Sequence, residues 1–214
     1  MRRAAAAVVL ACLAAALAPS ARGQTSDAGP AERWQISAFG GVWNPLTTAP
    51  YLYRTPAQHV EVGFGSAAAY GLSAGLNMSS SWGLELSWMQ TNPAQQYTGS
   101  PPVKIRDVTM NIFELDGLWY LRRGAVQPYV LFGVGGSSTG SSFGGTNFTG
   151  IVGLGVKAFL SRHFAVRADV RFDASYGNVG SPGEPAFCDA AGCYYYRSSW
   201  YWSLPVTAGL TFAF

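Results

Sequence analysis

Residues 199–214, SWYWSLPVTAGLTFAF, alternate with a two-residue period from end to end. Trp200, Trp202, Leu204, Val206, Ala208, Leu210, Phe212 and Phe214 share one face, and Tyr201, Ser203, Pro205, Thr207, Gly209, Thr211 and Ala213 share the other. Period two is the repeat of a β-strand, so this stretch is a strand with one apolar side. It outruns an ordinary globular strand and fits one that crosses a bilayer at a tilt, which takes roughly 9 to 11 residues plus interfacial ends.

Working back through the chain, the same pattern recurs seven times. Strands are expected at 33–43, 67–78, 82–91, 107–121, 128–136, 148–160 and 163–175. The clearest is 163–175, where Phe164, Val166, Ala168, Val170, Phe172 and Ala174 oppose Arg167, Asp169, Arg171 and Asp173. Between the strands, 79–81, 122–127 and 161–162 are short enough for turns, while 44–66, 92–106, 137–147 and 176–198 read as long loops rich in Pro, Gly, Ser and Tyr. The sequence therefore predicts an all-β, eight-stranded antiparallel up-and-down transmembrane β-barrel over 33–214. Short turns at one end and long loops at the other are the habit of such barrels. Trp34, Trp43, Trp82, Trp88, Trp119, Tyr120, Tyr129, Trp200 and Trp202 lie near strand ends, where two aromatic girdles would hold them. Pro205 marks a lost ladder hydrogen bond, expected at a bulge.

Residues 1–23 carry Arg2 and Arg3, an apolar run over 4–18, and small residues at Ala21 and Gly23, the layout of a secretory signal peptide cleaved before Gln24. The run is too short for a membrane anchor, which needs about 20 apolar residues. Residues 24–32 form a short periplasmic leader. Removing Arg2, Arg3 and Arg22 from the 14 basic residues leaves 11, equal to the 11 acidic ones, so the exported part is formally neutral. Nothing here favours nucleic acid as a partner. Cys188 and Cys193, with four residues between them in a turn-rich segment, are expected to form a disulfide in an oxidising periplasm.

Alternation alone does not say which face points inward, and a soluble eight-stranded barrel such as a lipocalin is the rival. In a membrane barrel Glu85, Glu114, Asp116, Lys157, Arg167, Asp169, Arg171 and Asp173 must face the lumen, since a lipid-facing Arg or Lys near the midplane costs roughly 2 to 4 kcal/mol. The opposite face decides for lipid, because Trp, Leu, Val and Phe hold nearly every position on it.

Gly209, Leu210, Phe212 and a terminal Phe214 resemble the C-terminal assembly signal of bacterial outer-membrane barrels, and PYVLFGVGG at 128–136 is similar to a recurrent strand in one of their families. Over nearly all of 24–214 the chain resembles the small eight-stranded barrels related to the membrane domain of outer membrane protein A and to the opacity proteins. The resemblance implies the outer membrane as location, with both chain ends in the periplasm. It also implies outer-membrane lipids, lipopolysaccharide and the barrel-assembly machinery as partners, and an extracellular ligand met through the loops.

Some barrels of this size modify lipid A, so acyl transfer has to be weighed. His59, near Glu61, is the candidate base, but a histidine and serine paired on an outward strand face are missing, and His163 sits at a short turn. Gly133, Gly135 and Gly136 lack dinucleotide-loop spacing and read as thin places in a narrow barrel. Arg54, Lys104, Arg106 and Arg197 in the loops read as solvated charges, with lipopolysaccharide phosphate as the alternative. No catalytic residue, cofactor or metal is assigned. The expected function is a structural or interaction barrel with a filled lumen and exposed loops, serving adhesion, surface protection or envelope integrity. A small-solute pore is the alternative, and a lipid A-modifying enzyme a more remote one.

Overall fold

The computed structural model describes residues 33–46, 51–55, 58–97, 103–139, 146–177, 185–189, 192–196 and 199–214. The expected signal peptide and leader lie outside them. The strands are β1 (Trp34–Trp43), β2 (Tyr51–Thr55), β3 (Gln58–Phe64), β4 (Ala67–Asn77), β5 (Trp82–Thr91), β6 (Ala94–Tyr97), β7 (Val103–Asp107), β8 (Met110–Tyr120), β9 (Val126–Thr139), β10 (Thr146–Phe159), β11 (Phe164–Gly177), β12 (Pro185–Asp189), β13 (Gly192–Tyr196), β14 (Ser199–Ser203) and β15 (Val206–Ala213).

Eight staves close a barrel. Around the ring β1, β4, β5, β8, β9, β10 and β11 each pair antiparallel with the next, and β11 pairs with the β14–β15 stave. β15 returns to β1, with Phe39 opposite Gly209 and reciprocal bonds between Trp34 and Phe214 of 3.1 and 3.0 Å. Apart from one bond lost at Pro205, the backbone groups of the wall can thus find partners inside the ring, the condition for strands in lipid.

At Pro205 the structure corrects the expectation of a bulge. Val170 faces Val206 and Asp173 faces Ser203, three residues on along each strand, so no residue is inserted. Arg171 N–H still donates to the Pro205 carbonyl at 3.0 Å. The return bond is missing because proline has no N–H. The stave is interrupted without a change of register.

Two of the short turns close on serines. Ser79 Oγ accepts from the N–H of Trp82 at 3.1 Å, and Ser161 Oγ accepts from the N–H of Phe164 at 3.2 Å. Side-chain bonds of this kind stand in for backbone bonds where the chain reverses.

The long connections at the other end are not loops, as the sequence suggested, but largely strands. β2–β3, β6–β7 and β12–β13 are hairpins, joined edge to edge in the order β12-β13-β2-β3-β6-β7. β9 and β10 likewise run into the expected loop at 137–147. The prolines that read as loop signals stand between these strands, or at the first position of one, as Pro185 does, where no ladder N–H is lost.

Candidate functional site

The barrel is inside out relative to a soluble protein. Leu86, Leu154 and Leu210 are 59%, 61% and 63% exposed, whereas Glu85, Asp116, Lys157 and Arg167 are buried. Apolar side chains on the outer face and charged ones within are the arrangement that a lipid surround requires and water would penalise. The alternation of each stave produces it directly, since neighbours along a strand point to opposite faces.

Within the lumen the charges meet in a connected set. Arg167 Nη1 donates to both Glu85 oxygens at 3.0 and 2.9 Å and lies within 3.3 and 3.2 Å of Ser37 Oγ and Ser73 Oγ, while its Nε donates to Asp169 at 2.9 Å. Lys157 donates to Gln35 Oε1 at 2.7 Å and to the Tyr120 hydroxyl at 3.4 Å, and lies 3.8 Å from Glu85. Tyr129 donates its hydroxyl proton to Asp169. Higher up, Arg171 pairs with Glu114, which also accepts from Ser87 Oγ at 3.0 Å, and stands 3.6 Å from Asp116. Ser203 donates to Asp173 at 3.2 Å. Burial makes such bonds strong and their absence costly, which is why the hydroxyls gather around the charges.

Glycines make the space. A Cβ on Gly133 would fall 2.5 Å from the Leu115 carbonyl oxygen and on top of the Asp116 carboxylate. On Gly155 it would run into the Tyr129 ring and the Asp169 carboxylate. Only a residue without a side chain leaves these carboxylates their positions.

Above the charges Trp43, Phe64, Met89, Met110 and Tyr201 form an apolar cluster that crowds the end nearer the second sheet, and Phe39 of the same cluster reaches down among the charges, its ring 5.9 and 5.8 Å from the Arg167 and Arg171 guanidiniums. Three aromatic residues expected in the girdles belong inside instead. Trp43 is fully buried, its ring 5.9 Å from that of Phe64, and Tyr120 and Tyr129 pack on each other at 5.8 Å near Lys157. Their parity carried the signal: Trp43 lies an odd number of residues from outward Trp34, as does Tyr120 from Trp119. Trp34, Trp82, Trp119 and Trp200 do face outward, with Trp82 stacked on Trp119 at 6.0 Å.

The remaining sequence candidates lie apart from the lumen. Leu210, Phe212 and Phe214 point outward, Phe212 resting 5.0 Å from Phe164 and 5.9 Å from Phe214, while Gly209 faces Phe39 across the β15–β1 seam. Cys188 stands directly opposite Cys193 in the β12–β13 ladder. His59 lies in β3, opposite Tyr53 of β2, with its side chain outside the described set, as are those of Arg54 and Arg106; Arg197 lies outside the described residues. Lys104 makes an exposed pair with Asp107 at 2.7 Å. His163 Nδ1 is 2.9 Å from the Ala213 carbonyl oxygen, which ties the β10–β11 turn to the end of β15.

The outer membrane protein beta-barrel domain matches residues 4–183, most of the chain. The chain belongs to that family. Family membership carries the location with it, the bacterial outer membrane. No curated protein matches the chain in sequence. Among solved structures, this outer-membrane barrel is similar to the outer membrane protein OprG from Pseudomonas aeruginosa, with 16% identity, coverage of 88% of this chain and 99% of that one, and a TM-score of 0.64. Neisserial surface protein A shares 11% identity over 85% of this chain and 97% of its own, with a TM-score of 0.56. A major outer membrane protein from Thermus thermophilus shares 11% identity over 86% of this chain and 100% of its own, with a TM-score of 0.51. At these identities the likeness is one of fold.

Proposed function

We propose that this outer-membrane barrel is a closed, rigid anchor that carries a strand-built surface on its extracellular side, acting in adhesion, surface protection or envelope integrity rather than in transport or catalysis. The observation that carries the reading is the cross-lumen pairing of Arg167 with Glu85, flanked by Arg171 with Glu114 and by Lys157 with Gln35. Eight strands enclose a space that side chains just fill, and here those side chains are bonded to one another. The apolar cluster around Trp43 and Phe64 lies over them.

In this reading the short turns and both chain ends face the periplasm, and the six-stranded sheet faces outward. The segment 1–23 directs export, and Cys188 and Cys193 are joined at the tip of an outer hairpin. Lipopolysaccharide and outer-membrane lipids surround the apolar belt, and the barrel-assembly machinery reads the pattern ending at Phe214. An extracellular partner would meet the outer sheet.

Planar-bilayer recording on the refolded wild-type barrel tests the closed lumen. The reading expects no stable open level, and large porin-like steps would replace it with the small-solute pore. Lipid A from cells overexpressing the barrel is expected to be unchanged. Altered acylation that disappears in His59→Ala would bring back the enzyme.

A further inference from the structure

The charges outside the lumen are segregated by end. In the outer sheet β2, β3, β7 and β12 mix Arg54, Lys104 and Arg106 with Glu61, Asp107 and Asp189, so neither sign prevails. At the end of the short turns the described acidic and basic side chains are of one sign: Arg33 ahead of β1, Arg122 and Arg123 between β8 and β9, and Arg162 between β10 and β11. No Asp or Glu lies in these segments among the described residues, and the turn at 79–81 is three serines. Asp27 and Glu32 precede Arg33 outside the described residues, and the main-chain carboxylate of Phe214, beside Trp34, offsets one charge. An exported chain that is neutral as a whole thus carries a cationic rim at one end.

The four arginines have different tasks. Arg123 is turned onto the protein: its Nε donates to the Ser80 carbonyl at 2.7 Å, its Nη2 to the Ser79 carbonyl at 2.9 Å, and its guanidinium lies 3.8 Å from the centre of the Tyr120 ring. It braces two neighbouring turns. Arg33, Arg122 and Arg162 are exposed. Each adjoins an exposed apolar residue at the edge of the belt, for Arg33 precedes Trp34, Arg122 follows Leu121, and Arg162 stands two residues beyond Leu160. A strand advances about 3.3 Å per residue, and the polar headgroup layer of a bilayer is roughly 5 to 8 Å deep on each side. The three guanidiniums, on stems that can lie along apolar surface while the head reaches polar ground, are therefore at the depth of the lipid phosphates. Trp34, Trp82 and Trp119, outward near the same end, mark that boundary independently.

A guanidinium offers a planar fork of donors that matches two phosphate oxygens at once. We propose that Arg33, Arg122 and Arg162 form a binding rim for the phosphate groups of anionic glycerophospholipids in the leaflet at the short-turn end. That leaflet is the periplasmic one in the orientation proposed above, on which this assignment of leaflet rests. The three stand on separate staves of the ring, so they engage separate lipids and together fix the depth at which the barrel rides. Nothing in this depends on whether the lumen conducts.

Quenching of tryptophan fluorescence tests the rim, because Trp34, Trp82 and Trp119 face the lipid beside it. The refolded wild-type barrel is placed in phosphatidylcholine vesicles that contain dibrominated phosphatidylglycerol or, in parallel, dibrominated phosphatidylcholine. An arginine near an anionic surface is favoured roughly fivefold. Phosphatidylglycerol is therefore expected to hold the barrel's boundary several-fold more readily than phosphatidylcholine at low salt, and the preference to shrink in about 1 M sodium chloride, where charges are screened within about 3 Å. The Arg33→Gln/Arg122→Gln/Arg162→Gln variant is expected to bring the ratio close to one, and Lys104→Gln on the outer sheet to leave it as in wild type. Both leaflets of these vesicles have the same composition, so a wrong orientation would not alter the result. Equal quenching by the two brominated lipids in wild type, which requires no variant to fold, would overturn the proposal, as would an unchanged preference in the folded triple variant. Inorganic phosphate that abolishes the preference when chloride of equal ionic strength does not would likewise overturn it, giving the rim to soluble anions.

Discussion

Arg167 of β11 and Glu85 of β5 stand on opposite walls of the barrel, four staves apart in a ring of eight, and bond across its lumen. Along the walls the neighbours are alike in charge. Lys157 is directly opposite Arg167, and Glu85 is directly opposite Asp116. Like charges in that relation destabilise a strand pair. The attraction is therefore realised only when the ring closes and brings the β10–β11 wall against the β5–β8 wall.

Removing one partner should show this. Glu85→Ala leaves Arg167 and Lys157 short of a buried counter-charge, and breaking a buried pair from one side costs about 3 to 5 kcal/mol. Urea titration of the refolded barrel should register a loss of that size. Glu85→Leu combined with Arg167→Met should lie nearer to wild type, because both charges go together. A loss below about 1 kcal/mol for Glu85→Ala would show the pair to be incidental.

The eight staves were legible because each separates lipid from lumen, which imposes an unbroken two-residue alternation on the sequence. The hairpins of the second sheet were not. Their strands run only four to seven residues, with prolines between them, too short for a face to declare itself. Parity placed Glu85, Arg167 and Asp116 inside but could not say who meets whom, since partners are set by position around the ring and by closure. Trp43, Tyr120 and Tyr129 show a different failure. Residue type suggested the girdles, and parity, which pointed inward, was the better guide.

Closure also depends on Gly209. A Cβ there would lie 2.7 Å from Phe39 Cβ and against the Ala38 carbonyl oxygen, on the seam between the last stave and the first. Gly209→Val should therefore impair folding even of purified chain diluted from urea into detergent. Phe214→Ala, at an outward position, should refold in detergent but reach the outer membrane several-fold less well in cells. Equal outer-membrane levels of the Phe214 variant and wild type in fractionated cells would remove the assembly role from that residue.

The facing of Cys188 and Cys193 makes a testable pair. Residues directly opposite in an antiparallel ladder have Cα atoms about 4.5 to 5.5 Å apart, within the span of a disulfide. So small a ring constrains the unfolded chain weakly, giving about 2 kcal/mol at most, and only to its own hairpin. Mass spectrometry of unreduced, exported protein should find the two joined. Reduction should leave the unfolding midpoint of the barrel unchanged, and two free thiols in exported protein would refute the bond.

The outward face makes the last prediction. Leu86, midway along β5 and 59% exposed, points away from the lumen, while its neighbour Glu85 points in. In lipid an arginine at such a depth costs roughly 2 to 4 kcal/mol, whereas on a water-facing strand the same change falls within about 0.5 kcal/mol. Leu86→Arg should accordingly lower the unfolding free energy in phospholipid vesicles by the larger amount, while Lys104→Leu on the second sheet, at an exposed position beyond the belt, should change it little. A Leu86→Arg barrel as stable as wild type in vesicles would mean that this face of β5 does not meet the hydrocarbon.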